Sequence, residues 1–335
     1  MYLGSCRFRV PTEENDPHFY EEVFKRFEEM NADAFFYIGG NDSMDTVDKL
    51  SSYAKKHGKS IKIIGIPKTI DNDLVHIDHT PGFGSAAKYV ASSILEIAHD
   101  TYIYHLKSVT IVEIMGRDAG WLTAASALAR NDYSSAPHLI YLPERVFHLN
   151  ECIEDVKKLL EKQDDVIIAI SEGVKNENGN YVSASEGHKD NFGHAMLSGT
   201  AKLLEHELHQ ALGVKTRGIE LNILQRCASH IASETDLSES MELGATAVKL
   251  YEEEKTGVMA CHERISSNPY KLEYSCHDVS EIANQVKSVP VDFINERGND
   301  VTGKMLEYLQ PLILGEAHIS YKSGLPEYLD VSHLI

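Results

Sequence analysis

The chain has 335 residues, 42% of them hydrophobic and 25% charged, the make-up of a globular protein too long for one core of ordinary size. Its 32 Lys and Arg stand against 51 Asp and Glu, a net charge of −19 that argues against nucleic acid and anionic membrane as partners, since both need a basic face. Five scattered cysteines (Cys6, Cys152, Cys227, Cys261, Cys276) make no CxxC pair and no disulfide framework, no apolar run approaches the ~20 residues that span a bilayer, and the N-terminus has no apolar signal region, so the reducing cytoplasm is the expected compartment.

Taken in order, Phe19–Met30 places Phe19, Val23, Phe24 and Phe27 on one face of a helix. Ala34–Ile38 is a buried strand that ends in Gly39-Gly40-Asn41-Asp42-Ser43. An amphipathic helix follows, carrying Met44, Val47, Leu50 and Ala54, with Ser43 as its expected N-cap and Gly58 as its stop. A glycine pair between a strand and a helix N-terminus lets backbone N–H groups approach an anion without an intervening Cβ. Asp42 would repel that anion, so it either holds Mg²⁺ carried by a phosphate or closes off part of the pocket.

The β-branched run Ile61–Ile66 is the next strand, which makes a βαβ unit with parallel strands, and Pro67 stops it. Lys68, Thr69, Asp71 and Asp73 then crowd the carboxyl end of that strand, where open α/β sheets place ligands. The cation could hold a phosphate, and the carboxylates could take a proton or a metal; a charged surface turn is the plain alternative. Ser85–His99 reads as a buried helix. Strand Ser108–Met115 runs into Gly116-Arg117-Asp118, where Arg117 either forks a phosphate or sugar oxygen or makes a surface salt bridge.

The alternation continues through helix Trp121–Arg130, strand His138–Leu142, helix Leu149–Gln163 and strand Val166–Ser171 with Glu172-Gly173 just past it. Helix Ala195–Leu212 and strand Thr216–Leu221 lead to Gln225-Arg226; a helix over Glu239–Glu253, a strand over Gly257–Cys261 and a last helix over Asp300–Leu314 close the pattern. The seventeen histidines, His18, His148 and His188 among them, show no ligand spacing such as HExxH, which argues against a structural zinc.

Together these segments resemble the 6-phosphofructokinases. The matching stretches are GGNDS at Gly39–Ser43, PKTIDND at Pro67–Asp73, MGRDAGWL at Met115–Leu122, SEG at Ser171–Gly173, LQR at Leu224–Arg226 with Arg217 nine residues before Arg226, and LGSCR at Leu3–Arg7. The resemblance implies that Asp71 is the general base for the 1-hydroxyl of fructose 6-phosphate, with Thr69 and Asp73 beside it. It implies that Arg7 stabilises the phosphoryl group in flight. Arg117, Glu172 and Arg226 would bind the sugar phosphate, Met115 and Gly116 would shape its pocket, and Arg217 would reach a phosphate across a subunit interface. Family members that use ATP resemble GGDGS and PGTIDND, whereas here Asp42 and Lys68 replace the glycines. Asp42 would crowd a nucleotide's α-phosphate and Lys68 would supply charge to a short diphosphate.

The resemblance thus implies inorganic pyrophosphate as donor, bound by Gly40, Asn41, Asp42, Ser43 and Lys68, with Mg²⁺ at Asn41 and Asp42. An ATP-dependent enzyme and a non-catalytic sugar-phosphate-binding subunit are the alternatives. Asn41 stands where the family has an acidic residue, Ser108 where many ATP-using members have arginine, and Asn222-Ile223 where the family has Gly followed by His or Tyr. No GGxxPGxN-type phosphate loop lies before Leu3, so the expected fold is α/β with two Rossmann-like α/β/α domains, the first truncated at its N-terminus. Residues 1–82 with 225–315 are the expected donor domain, 83–224 the sugar-phosphate domain and 316–335 a tail, in a homodimer or homotetramer.

Overall fold

The computed structural model describes residues 8–183 and 199–329; Arg7, His188 and the start of the helix expected from Ala195 lie outside the described residues. The chain enters through α1 (Pro17–Glu29), β1 (Ala34–Gly39), α2 (Asn41–Lys56) and β2 (Lys62–Pro67). It crosses by α3 (Phe83–Tyr102) into β3 (Ser108–Ile114), α4 (Trp121–Ala125), β4 (Leu139–Tyr141), α5 (Leu149–Leu160) and β5 (Asp165–Ser171). Then come α6 (Thr200–Leu212), β6 (Lys215–Glu220), α7 (Leu224–Cys227), α8 (Glu234–Glu252), β7 (Val258–Ser267), β8 (Tyr270–Asp278) and α9 (Gly303–Leu309), and last the short pair β9 (Tyr321–Lys322) and β10 (Leu325–Pro326).

Two four-stranded sheets carry the molecule, in the orders β1-β2-β7-β8 and β4-β5-β3-β6. The second is wholly parallel; in the first only β8 runs antiparallel, against β7. The expected βαβ unit is present, with Gly39 level with Pro67 at the ends of β1 and β2. In the second sheet Ile114 is level with Ser171. Each sheet therefore delivers two loops side by side from its carboxyl edge.

Apolar side chains from α1, α2 and α8 close the first core around Ile63, Ile64 and Met259. The second sheet is buried on both faces, as a parallel sheet must be: α5 and α6 cover one, α3 and α4 the other. Val289, Ile294, Val301, Met305, Leu309 and Leu312 pack into that second face with α3 and α4.

Two local expectations are corrected. Ser43 is not the N-cap of α2; the helix begins at Asn41 with Gly40 as its cap, in extended backbone and without a side-chain capping bond. Ser43 instead lies over Gly39, where a Cβ would come within 2.0 Å of the Ser43 hydroxyl oxygen. The strand after Gly257 does not stop at Cys261 but runs to Ser267 and returns as β8, a hairpin hidden by the charged His262-Glu263-Arg264 run.

Candidate active site

The carboxyl ends of β1, β2, β3, β5 and β6 each release one of the segments singled out in the sequence. Lys68 is pinned by its own N–H, which donates to the Gly39 carbonyl at 2.8 Å, so the glycine turn and the Lys68 loop leave the sheet joined. The Thr69 hydroxyl accepts from the Asp71 N–H at 3.1 Å, and the Thr69 carbonyl accepts from the Thr80 hydroxyl at 2.8 Å. Between the two carboxylates Asn72 turns inward, fully buried, with φ of 55°. Its Oδ1 accepts from the Thr80 N–H and from Lys287 Nζ, each at 3.1 Å, and its Nδ2 donates to the Tyr308 hydroxyl at 2.9 Å.

Lys287 is the residue that sequence reasoning missed. Its ammonium also donates to the carbonyls of Ile77 at 3.1 Å and Asp78 at 2.8 Å, and its N–H donates to the Asp73 carbonyl at 2.7 Å. Its own carbonyl accepts from Trp121 Nε1 at 2.8 Å. One lysine thus ties the Asp71–Asp73 turn to α4 on the other sheet. Burial pushes its pKa down to about 7 against the pull of Asp78 and Asp73. No spacing in the sequence signals these contacts, whose partners stand 166 or more residues apart along the chain.

On the facing side, Ser171 donates its hydroxyl to the Gly116 carbonyl, and the Gly116 N–H donates to Glu172 Oε1 at 3.4 Å. The two loops cross so closely that a Cβ on Gly173 would fall 1.9 Å from the Arg117 carbonyl oxygen, so only glycine fits there. Gln225, buried, accepts from the Met115 N–H at 3.4 Å and holds α7 against the end of β3. Arg226 follows it, exposed.

These loops meet around Asp71. Burial raises the Asp71 carboxyl above the usual range, opposed by the positive charges of Arg117, Lys68 and Arg226 in that order. Positive charge from both sheets thus acts on the one carboxylate, Lys68 from the first and Arg117 and Arg226 from the second. Arg117 keeps a buried Nε with no hydrogen-bond partner among the described residues. Asp73 is pushed up to about 6 by burial and by the neighbouring charge of Asp71, and its Oδ1 is buried without a hydrogen-bond partner among the described residues. Glu172 is pushed up to about 7, chiefly by burial. Cations converging on carboxylates held partly out of water suit proton abstraction beside a polyanion.

Other expected residues stand apart. Arg217 is exposed on the edge strand β6 and faces Asp100 at 3.8 Å. The Asn41 carboxamide is taken up by the 284–285 backbone, its Oδ1 accepting from the Asn284 N–H at 2.7 Å and its Nδ2 donating to the Gln285 carbonyl at 2.6 Å. Asp42 is exposed in the first turn of α2. Met115, by contrast, stays with the site beside Gly116 and is half-buried against the second core.

The sequence profile of the family described as Phosphofructokinase matches residues 1–251. The pyrophosphate–fructose 6-phosphate 1-phosphotransferase of Xanthomonas campestris pv. campestris is 39% identical over 335 residues, covering 99% of this chain and 80% of that protein. Among solved structures, the pyrophosphate-dependent phosphofructokinase of Nitrosospira multiformis superposes with a TM-score of 0.88 at 35% identity, over 98% of this chain and 78% of that one. The pyrophosphate-dependent phosphofructokinase of Marinobacter aquaeolei gives a TM-score of 0.84 at 36% identity, over 97% and 76%.

Proposed function

Because the chain belongs to the phosphofructokinase family, we propose that it transfers a phosphoryl group reversibly from inorganic pyrophosphate to the 1-hydroxyl of fructose 6-phosphate. The observation that carries this reading is the joining of the Gly39 and Lys68 loops at the strand ends beside Asp71, a carboxylate on which the positive charges of Arg117, Lys68 and Arg226 all act. In the forward step the sugar O1–P bond forms, the P–O–P bridge breaks, orthophosphate leaves, and the hydroxyl proton passes to Asp71. Phosphoryl transfer needs positioning and positive charge more than covalent help from the protein. Thr69 orients the Asp71 backbone, Lys68 and the Gly40–Ser43 turn hold the donor, and Arg117, Glu172, Asp73 and Arg226 hold the sugar phosphate between Met115 and Gly116. Arg7 and Arg217 keep the roles that the resemblance gives them, Arg217 toward a second copy of the chain from its exposed sheet edge.

Mg²⁺ suits the paired carboxylates of Asp71 and Asp73, because Asp73 Oδ1 is buried and unpartnered, whereas the Asn41 amide is already occupied. Asp42 would meet the ion only from the donor side. When bound, the ion would neutralise charge on the phosphates. The two lobes divide the substrates in this reading: the first sheet takes the donor and the second the sugar. The donor lobe, assigned residues 225–315 from the sequence, is better closed near 282, since Val289–Leu312 share the second core. A cytoplasmic homo-oligomer completes the proposal; among the described residues no helix is long and apolar enough to cross a membrane.

The test is an aldolase-coupled assay with fructose 6-phosphate and either pyrophosphate or ATP. Turnover with pyrophosphate is expected, and Asp71→Asn should lower kcat by roughly 10²–10⁴-fold, the range for losing a general base. Turnover with ATP alone would reassign the donor. Sugar-phosphate binding by calorimetry without any turnover would leave a binding subunit.

A further inference from the structure

His76 and His277 lie far apart in the sequence, so no motif search joins them, yet the fold stacks their rings with centroids 4.3 Å apart. Glu281 completes the group, its Oε2 lying 3.6 Å from His277 Nδ1. One ligand atom from each of the three residues lies within 4.8 Å of the others, the one such His, Cys, Asp and Glu cluster among the described residues.

We propose that His76, His277 and Glu281 form a binding site for a borderline divalent cation of the Zn²⁺ class. Two imidazoles and a carboxylate are a donor set that suits zinc and not Mg²⁺, which takes oxygen ligands. A tetrahedral zinc site needs donor atoms about 3.3 Å apart, as follows from Zn–N distances near 2.0 Å. The present spacing is wider, and closing it falls to His76 and Glu281, whose side chains are exposed, while His277 is half-buried. A water would fill the fourth position. The chain's net charge of −19 favours cation capture.

The site has a consequence for the fold. His76 stands three residues beyond Asp73 in the segment that leads away from the Asp71 turn, whereas His277 is the penultimate residue of β8 and Glu281 lies in the 3-10 turn after it. A bound ion would staple that segment to the edge hairpin of the first sheet.

Calorimetry on the full chain, freed of metal by chelator dialysis, tests this with ZnCl₂ as titrant. One saturable zinc per chain is expected, along with a rise in melting temperature. His76→Ala and His277→Gln should each weaken binding by roughly tenfold or more, since even second-sphere changes cost 10–100-fold at metal sites. The double variant should abolish both binding and the thermal shift. Asp71→Asn should leave the zinc isotherm unchanged, which separates this site from the proposed active site. Absence of one-to-one binding by the unaltered chain, or an isotherm that survives in the double variant, would overturn the proposal.

Discussion

Asn72 and Lys287 set the geometry of the Asp71 turn, because the buried carboxamide hydrogen-bonds to Thr80, Lys287 and Tyr308, all eight or more residues away. Replacing Lys287 by Met keeps the length of the side chain but removes three donors, taking the ammonium from the Ile77 carbonyl and leaving Tyr308 as the remaining side-chain donor to the Asp78 carbonyl. The expected result is a folded protein in which kcat drops by about tenfold or more while KM for fructose 6-phosphate changes little, as expected when a misplaced group near the reacting atoms is the fault. Glu172 provides a pH test. Its folded pKa of about 7 lies above its ordinary value of 4.5, so between these limits the unfolded chain releases a proton that the folded chain keeps. Stability therefore falls as pH rises from 4.5 to 7 and levels off above. Glu172→Gln should flatten that fall, with a gain at pH 8 of up to about 3 kcal/mol at roughly 1.4 kcal/mol per pH unit and no gain at pH 4, read from melts at the two pH values. Lys68, Asp71 and Arg117 could be singled out in the sequence because each closely follows a strand, and Arg226, which lies in α7, only through the LQR stretch that resembles the phosphofructokinases. Lys287 was not, since its role depends on contacts that only the folded chain makes.

Helices and strands were legible where apolar period and turn residues agreed. Periodicity located α1, α3 and α5 within a few residues, and β-branched runs located β2, β3 and β5. The β7–β8 hairpin was not legible beyond Cys261, because its outer half alternates exposed and half-buried polar residues, a pattern shared with loops. The helix stop at Gly58, which has φ of 62° just past α2, was legible, but the N-cap expected at Ser43 was not the cap. The N-terminus of α3 has no side-chain cap of its own; Asp236 of α8 supplies it, accepting from the N–H groups of Gly82 at 2.8 Å and Ser85 at 3.0 Å and from the Ser85 hydroxyl at 2.5 Å. Asp236→Ala leaves these donors buried at a positive helix end, and should cost about 2–3 kcal/mol in urea-denaturation stability, at the upper end for a cap because three bonds are lost.

At the scale of the whole molecule, a polar network binds the segment after Asp73 to both sheets' helices. His79, almost fully buried, sits between Asp78 at 2.8 Å and Glu239 of α8 at 2.6 Å. Arg264 of β7 donates to Asp78 at 2.8 Å, Tyr270 of β8 to Glu239 at 2.7 Å, and Tyr308 of α9 to the Asp78 carbonyl at 2.7 Å. Burial opposes charge on His79, but the two carboxylates outweigh it and raise its pKa above the ordinary 6.5. The stabilisation is thus fully present below pH 6.5 and is lost as pH rises through the folded value. His79→Gln removes the charge that joins Asp78 to Glu239, and should destabilise the protein by about 3–5 kcal/mol at pH 6, measured by chemical denaturation.

The level endings of Ile114 and Ser171 carry an evolutionary corollary. One residue inserted within β5 would slide Glu172 by about 3.3 Å and turn it to the opposite face of the sheet, away from Arg117. Drift in chain length among descendants of this protein should therefore collect in the connections that feed the strands' amino ends, with the distance from strand to carboxylate held fixed.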